Sequence, residues 1–270
     1  MKRFFTKKII LVGGGLGVLI TLTLCLFLDA YYESNFRTMQ DTLWTTRAVN
    51  VTGLRELRAS GSTSVRFPDL MRRLRHITGS KIVVDGMAEF HGYIKGIPST
   101  FFAYQREAPS MKHLIRRFIY TGTTDMRSDL VTPEDQEALK YGLGYKRVNI
   151  GSSFIETDEN IDQIIDFYDT LPPEAWLHFH CAHGKGRTSI LLVMLDIMKN
   201  APVVSLQDIV ERQILLGSEN LLNTEAWKNG TYNEQKLKAR KKFVENFYAF
   251  VCQRKAGGPH HWSAWRRQQK

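Results

Sequence analysis

A cysteine and an arginine six positions apart, inside WLHFHCAHGKGRTSILLVMLDIMK over residues 176–199, constrain this chain more than any other feature. Residues 176–180 read as a strand and residues 186–199 as a strongly apolar helix. The chain must pass from one to the other in a few residues, and Gly184 and Gly186 let the backbone fold tightly there. Such a turn points successive N–H groups at one place, a nest for an anion. The helix N-terminus adds its positive end. Arg187 presents a planar fork suited to two oxygens of one phosphate. Cys181, at the base of this cup, would have its thiol acidified from about 8.5, so that a thiolate could attack phosphorus. Ala182, His183, Gly184, Lys185 and Gly186 would form the wall against the phosphate, with Lys185 adding charge for a polyanion. Thr188 can donate to the thiolate, and His180 is expected to orient the loop by hydrogen bonding. A buried structural cysteine at a strand end is the plain alternative. The accompanying His180, two glycines, Thr188, strand and helix weigh against it. The glycine spacing does not suit dinucleotide binding.

The rest of the chain supplies a setting for this loop. Its 270 residues, 43% apolar and 24% charged, allow a sizeable core. A net charge of +10 favours anionic partners. Residues 1–8 hold four bases and no acid, and residues 9–28 hold no charge. That pattern predicts an export signal, cleaved near Ala30 or retained as a membrane anchor, with the remainder outside the cytoplasm. The domain would then be periplasmic or extracellular, or tethered to the inner membrane. Residues 31–50 read as an irregular lead-in. Helices are predicted over 67–77, from Thr132–Pro133 onward, over 158–171 with Thr157 as cap, over 205–216 with Gly217 as stop, and over 233–253. Strands are predicted at 81–85 and 147–150, and loop at 91–98. Alternating strands and helices point to an α/β fold with a mostly parallel sheet, spanning about residues 45–254. Residues 255–270 are predicted to be a loosely ordered basic tail. Cys25, Cys181 and Cys252 do not make a disulfide framework. Lys236, Lys238, Arg240, Lys241 and Lys242 read as an exposed helix face. Lys81, His91 and Lys95 either reach the pocket or lie on solvated faces. No nucleic-acid motif accompanies the basic charge. His260 and His261 lack the further ligands that a metal would need.

The loop HCAHGKGRT resembles the signature of protein-tyrosine-phosphatase-like enzymes. GLRELRASGS at 53–62, KIVVDGMAEFHGYIKGIP at 81–98, LPPEAWLHFHCAHGKGRT at 171–188 and SLQDIVERQILLG at 205–217 are similar to blocks of the bacterial phosphatase-like inositol polyphosphatases, the cysteine phytases. The resemblance implies a protein-tyrosine-phosphatase-like sandwich, a basic pocket for inositol phosphates or phosphoprotein, and neither metal nor cofactor. It also implies a water-positioning role for Gln213, beside Arg212, to which a surface helix position is the plain alternative. Two positions depart from the family pattern. Ser152 stands where the general-acid aspartate is expected, and Met87 where the family has an arginine. Loss of a general acid costs about two to four orders of magnitude in rate. Glu156 or Asp158 could replace it, as could His183, although Asp158 also suits the first turn of a helix. The expected reaction is therefore phosphate-ester hydrolysis through a cysteinyl-phosphate. The alternative is a pseudophosphatase that binds phosphorylated ligands without useful turnover.

Overall fold

The computed structural model describes residues 2–28, 35–104, 106, 108–148, 150, 157–226 and 232–269, with residues 2–11 as backbone. Its centre is a five-stranded sheet in the order β1-β2-β7-β3-β6. The strands are β1 (Arg37–Thr38), β2 (Ala59–Thr63), β3 (Lys81–Asp85), β6 (Gly144–Arg147) and β7 (Trp176–Cys181), while β4 (Tyr93–Ile94) and β5 (Ile97–Pro98) form a separate hairpin. β7 lies between β2 and β3, parallel to both, and β6 runs parallel to β3. Among the described strands only β1 is antiparallel within the central sheet. The fold is thus the α/β arrangement with a mostly parallel sheet that the alternation of elements predicts.

The helices are α1 (Lys2–Phe27), α2 (Phe67–Arg73), α3 (Met111–Thr121), α4 (Glu134–Leu139), α5 (Asp158–Asp169), α6 (Gly186–Asn200), α7 (Leu206–Leu215), α8 (Glu234–Lys255) and α9 (Trp262–Gln268). Successive strand residues face opposite sides. Val84, Leu177 and Phe179 join the large core formed with α5 to α9, and Val83 and Trp176 join the smaller core with α2 and α4. The predicted caps form as read: Thr157 accepts from the Asn160 N–H and Ser205 from the Asp208 N–H. Gly217, at φ +98°, ends the turn after α7.

Several expectations are corrected. The strand predicted at 147–150 begins earlier, because Gly144 to Arg147 pair with Ile82 to Asp85. Residues 91–98 form the β4–β5 hairpin, turning through Lys95 and Gly96 at positive φ. The irregular lead-in contains β1. β2, with the sequence ASGST, shows no apolar alternation, because the sheet needs small residues where α6 crosses it. A Cβ on Gly61 would lie 2.8 Å from the Thr188 methyl. The tail is ordered: Trp262 and Trp265 stack at 5.2 Å and are buried against Phe250. Apolar burial of two indoles holds α9 on α5 and α8. Arg240 does not belong to the exposed basic face: it turns inward and donates to the Asn220 carbonyl at 3.0 Å. Among the described residues no helix is long and apolar enough to cross a membrane.

Candidate active site

β7 delivers Cys181 to the C-terminal edge of the sheet, opposite Thr63 of β2. The loop then turns through Gly184 at φ +66°, where a Cβ would stand 2.4 Å from the Ser62 carbonyl carbon. Glycine is required there on both counts. The loop carbonyls are held from outside. Arg37 Nη1 donates to the Gly184 carbonyl at 2.7 Å, and Asn35 Nδ2 to the His183 carbonyl at 2.8 Å. Arg37 is itself fixed by Ser189 and Ser218 at 3.3 and 3.1 Å. Burial lowers its guanidinium to about 10, against the attraction of Cys181 and Glu219. With these two carbonyls turned outward, the His183 and Thr188 N–H groups face the thiol.

Cys181 is buried, and burial alone would push its thiol up. The Thr188 hydroxyl at 3.2 Å, the charge of Arg187 and the backbone N–H groups of Thr188 and His183 outweigh burial and hold the thiol below its ordinary value. The predicted partners Cys181, Thr188 and Arg187 are therefore brought together. Lys185 and His183 lie exposed on the loop, while Ala182 and Gly186 are half-buried. The Tyr232 hydroxyl lies 3.4 Å from the place where a Cβ on Gly186 would sit.

Glu89 is the unforeseen partner. Both its carboxylate oxygens accept from Arg187, one from Nη2 at 2.5 Å and the other from Nη1. Burial would raise its carboxyl, but the Arg187 fork brings it below the ordinary carboxylate range. A carboxylate held in this way accepts protons in hydrogen bonds and does not donate them. Its only sequence signal is position, two residues after Met87 in the segment where the family pattern is broken.

Beneath the loop, two histidines and two carboxylates form a buried quartet. His91 Nε2 lies 2.9 Å from Asp85 and 3.0 Å from Glu134, and His180 Nε2 lies 3.2 Å from Glu134. His91 Nδ1 donates to the Glu89 carbonyl at 2.7 Å, so its Nε2 also needs a proton to face two carboxylates. Burial opposes that charge, but the two carboxylates prevail and push His91 up to about 10. Glu134 raises His180 in the same way against its burial. Asp85, Glu134 and His180 bring donor atoms within 4.8 Å, a spacing that could hold a metal. His91 and His180, both raised towards the charged form, already stand against these acidic groups. His180 is itself held in place by Glu134 and by Ser64 Oγ at 3.3 Å.

Asp158 is engaged by the tail: its Oδ1 accepts from Trp262 Nε1 at 2.7 Å, in the first turn of α5. Glu156 and Ser152 lie outside the described residues. Gln213 is fully buried and its amide donates to Asp196 and to the Met39 sulfur. Asp196 stands nine residues beyond Arg187, about 13 Å along the helix, so Gln213 positions no water at the cup. Arg212 also pairs with Asp196. Lys81 and Lys95 are taken by the carbonyls of Ile77 and Tyr120.

The PTP-like phytase family model, described as inositol hexakisphosphate, matches residues 100–199. The tandemly repeated protein tyrosine phosphatase like phytase from Mitsuokella multacida superposes with a TM-score of 0.67 at 26% identity, covering 87% of this chain and 46% of that one. The same values hold for the PTP-like myo-inositol phosphatase of that organism in complex with myo-inositol-(1,3,4,5)-tetrakisphosphate. The PTP-like phytase of Bdellovibrio bacteriovorus shares the fold at a TM-score of 0.61 and 24% identity, covering 86% of this chain and 88% of that one. AvrBs1.1 of Xanthomonas campestris pv. campestris is 36% identical over 89 residues, 33% of this chain and 86% of the relative. The chain thus spans about half the length of the Mitsuokella structures that it matches.

Proposed function

Since the chain belongs to the protein-tyrosine-phosphatase-like inositol polyphosphatase family, we propose that it hydrolyses phosphate monoesters of inositol through a cysteinyl-phosphate. The observation that carries this reading is the Cys181 sulfur, acidified by the Thr188 hydroxyl, the Arg187 charge and the backbone N–H groups of Thr188 and His183. In the first step the S–P bond forms as the ester P–O bond breaks. Arg187 and the loop amides hold the equatorial oxygens while charge spreads over them. The leaving oxygen takes a proton from solvent water and departs as the alcohol. Water then attacks phosphorus, the S–P bond breaks, and the thiolate and inorganic phosphate are released. Lys185 at the exposed mouth suits a substrate with several phosphates. The inositol tetrakisphosphate bound by the Mitsuokella relative supports that class. Phosphotyrosine or dual-specificity protein substrates stand second. The N-terminal segment is the proposed membrane contact, with the domain exported or anchored outside the cytoplasm.

The engagement of Asp158 by Trp262 favours one further reading, because it removes a candidate replacement for the general acid. The chain would then bind phosphorylated ligands without useful turnover. Phosphate release from inositol hexakisphosphate and from a phosphotyrosine peptide separates the two. Turnover by the full chain that vanishes in Cys181→Ser is the expected result. No turnover by either protein, with tight inositol phosphate binding retained, would overturn the enzyme and leave the binding module.

A further inference from the structure

α3 is amphipathic the wrong way round for a helix in water. Its eleven residues, MKHLIRRFIYT, place Met111, Ile115, Phe118 and Ile119 outward, with Met111 70%, Phe118 60% and Ile119 56% exposed. These positions follow helical spacing and form one stripe. The two arginines face the protein instead. Arg117 is buried and donates to the Phe102 and Ala103 carbonyls at 2.9 and 3.1 Å. Arg116 is buried with its guanidinium 3.9 Å from the centre of the Phe101 ring. Burying two cations beneath a helix while exposing its large apolar side chains is unfavourable against water on both counts. It is favourable where the outer medium is apolar.

The identity of that medium is indicated by α1, which meets α3 directly. Arg116 Nε donates to the Leu26 carbonyl at 2.9 Å, with Nη2 adding a second bond to the same oxygen. The Phe27 ring stacks on Phe101 at 5.9 Å and meets Tyr120 edge-on at 6.2 Å. Above this joint, Leu16, Val18, Leu19, Ile20 and Leu22 are all exposed. At 100° per residue they point around most of the helix, and a protein partner would cover only one side of it. Lipid covers all sides.

We propose that the outer face of α3 is a bilayer-docking surface, continuous with α1, with Met111, Ile115, Phe118 and Ile119 entering the acyl region. α1 needs only to enter that region, not to cross it. The Arg116–Leu26 joint would then fix the orientation of the phosphatase domain on the membrane. This surface is independent of the substrate reading, and its test needs no turnover.

The full chain would be reconstituted into vesicles of phosphatidylcholine and phosphatidylglycerol carrying a diazirine on the acyl chain. After irradiation and digestion, lipid adducts would be mapped by mass spectrometry. Adducts are expected on α1 and on the Met111–Thr121 peptide, and not around Leu139, which is 74% exposed on α4 and serves as the control for exposed apolar surface in general. Phe118→Asp with Ile119→Asp should lower adduct yield on α3 about tenfold, leaving the thermal midpoint of the chain and labelling of α1 unchanged. Adducts on α1 alone, equal labelling at Leu139, or a second copy of the chain cross-linked to α3 would each overturn the docking surface.

Discussion

Arg187 carries five N–H donors, and Glu89 takes two of them. Three remain for the equatorial oxygens of a phosphate. Glu89 thus sets the plane of the guanidinium without exhausting it, and His91 holds the Glu89 backbone in turn. Glu89→Gln should lower kcat/KM by about 10- to 100-fold, the usual consequence of a slightly misplaced clamp. The effect should fall on both kcat and KM, with the thermal midpoint unchanged. A variant with wild-type kinetics would remove Glu89 from the positioning role. Asp158 offers the complementary lesson. As a carboxylate near the expected loop it is a reasonable acid by sequence, and its partner Trp262 lies 104 residues away. No local pattern encodes that contact.

The elements themselves were legible where burial imposes a period. β3, β7 and α6 are strongly apolar, so their spacing reports their structure. β2 escaped because its residues are chosen for smallness beneath α6, and smallness has no period. α9 escaped for another reason: seven residues of WSAWRRQ are too few to signal a helix. Its order comes from tertiary packing of Trp262 against Phe243, Phe247 and Phe250, at ring distances of 5.7, 6.0 and 5.7 Å. Trp262→Ala should therefore cost about 3–5 kcal/mol, read as a lower urea midpoint. A loss below about 1 kcal/mol, the scale of an exposed site, would show that α9 is an ornament on the domain rather than part of its core.

At the scale of the whole molecule, the Asp85–His91–Glu134–His180 quartet joins β3, the segment before β4, the start of α4 and the end of β7. Its charges make stability depend on pH from both sides. His91 is raised from 6.5 to about 10. Its contribution is complete below 6.5 and is lost as pH climbs towards 10. His180 and His91 hold Glu134 well below its ordinary 4.5, against the effect of burial. Its contribution is complete above 4.5 and is lost as pH falls. The urea midpoint should therefore be highest between about pH 5 and 6.5, and His91→Asn should flatten the alkaline decline. A wild-type midpoint still rising from about pH 7 to 9 would contradict this account.

The sequence alone determined the candidate loop, because its pattern is local: a strand, a tight glycine turn, a helix start and an arginine six residues from a cysteine lie within 24 consecutive positions. It also determined the α/β class, through the periods that burial enforces. Only the tertiary structure decided what surrounds that loop. Arg37 behind Gly184, Glu89 across Arg187 and Glu134 beneath His180 are brought there from 147, 98 and 46 residues away. Each is a charged residue of a common kind in an unremarkable local setting. What fixes each in place is the low-dielectric neighbourhood that the folded sheet builds around it, where an unpaired charge is too costly to leave unmatched.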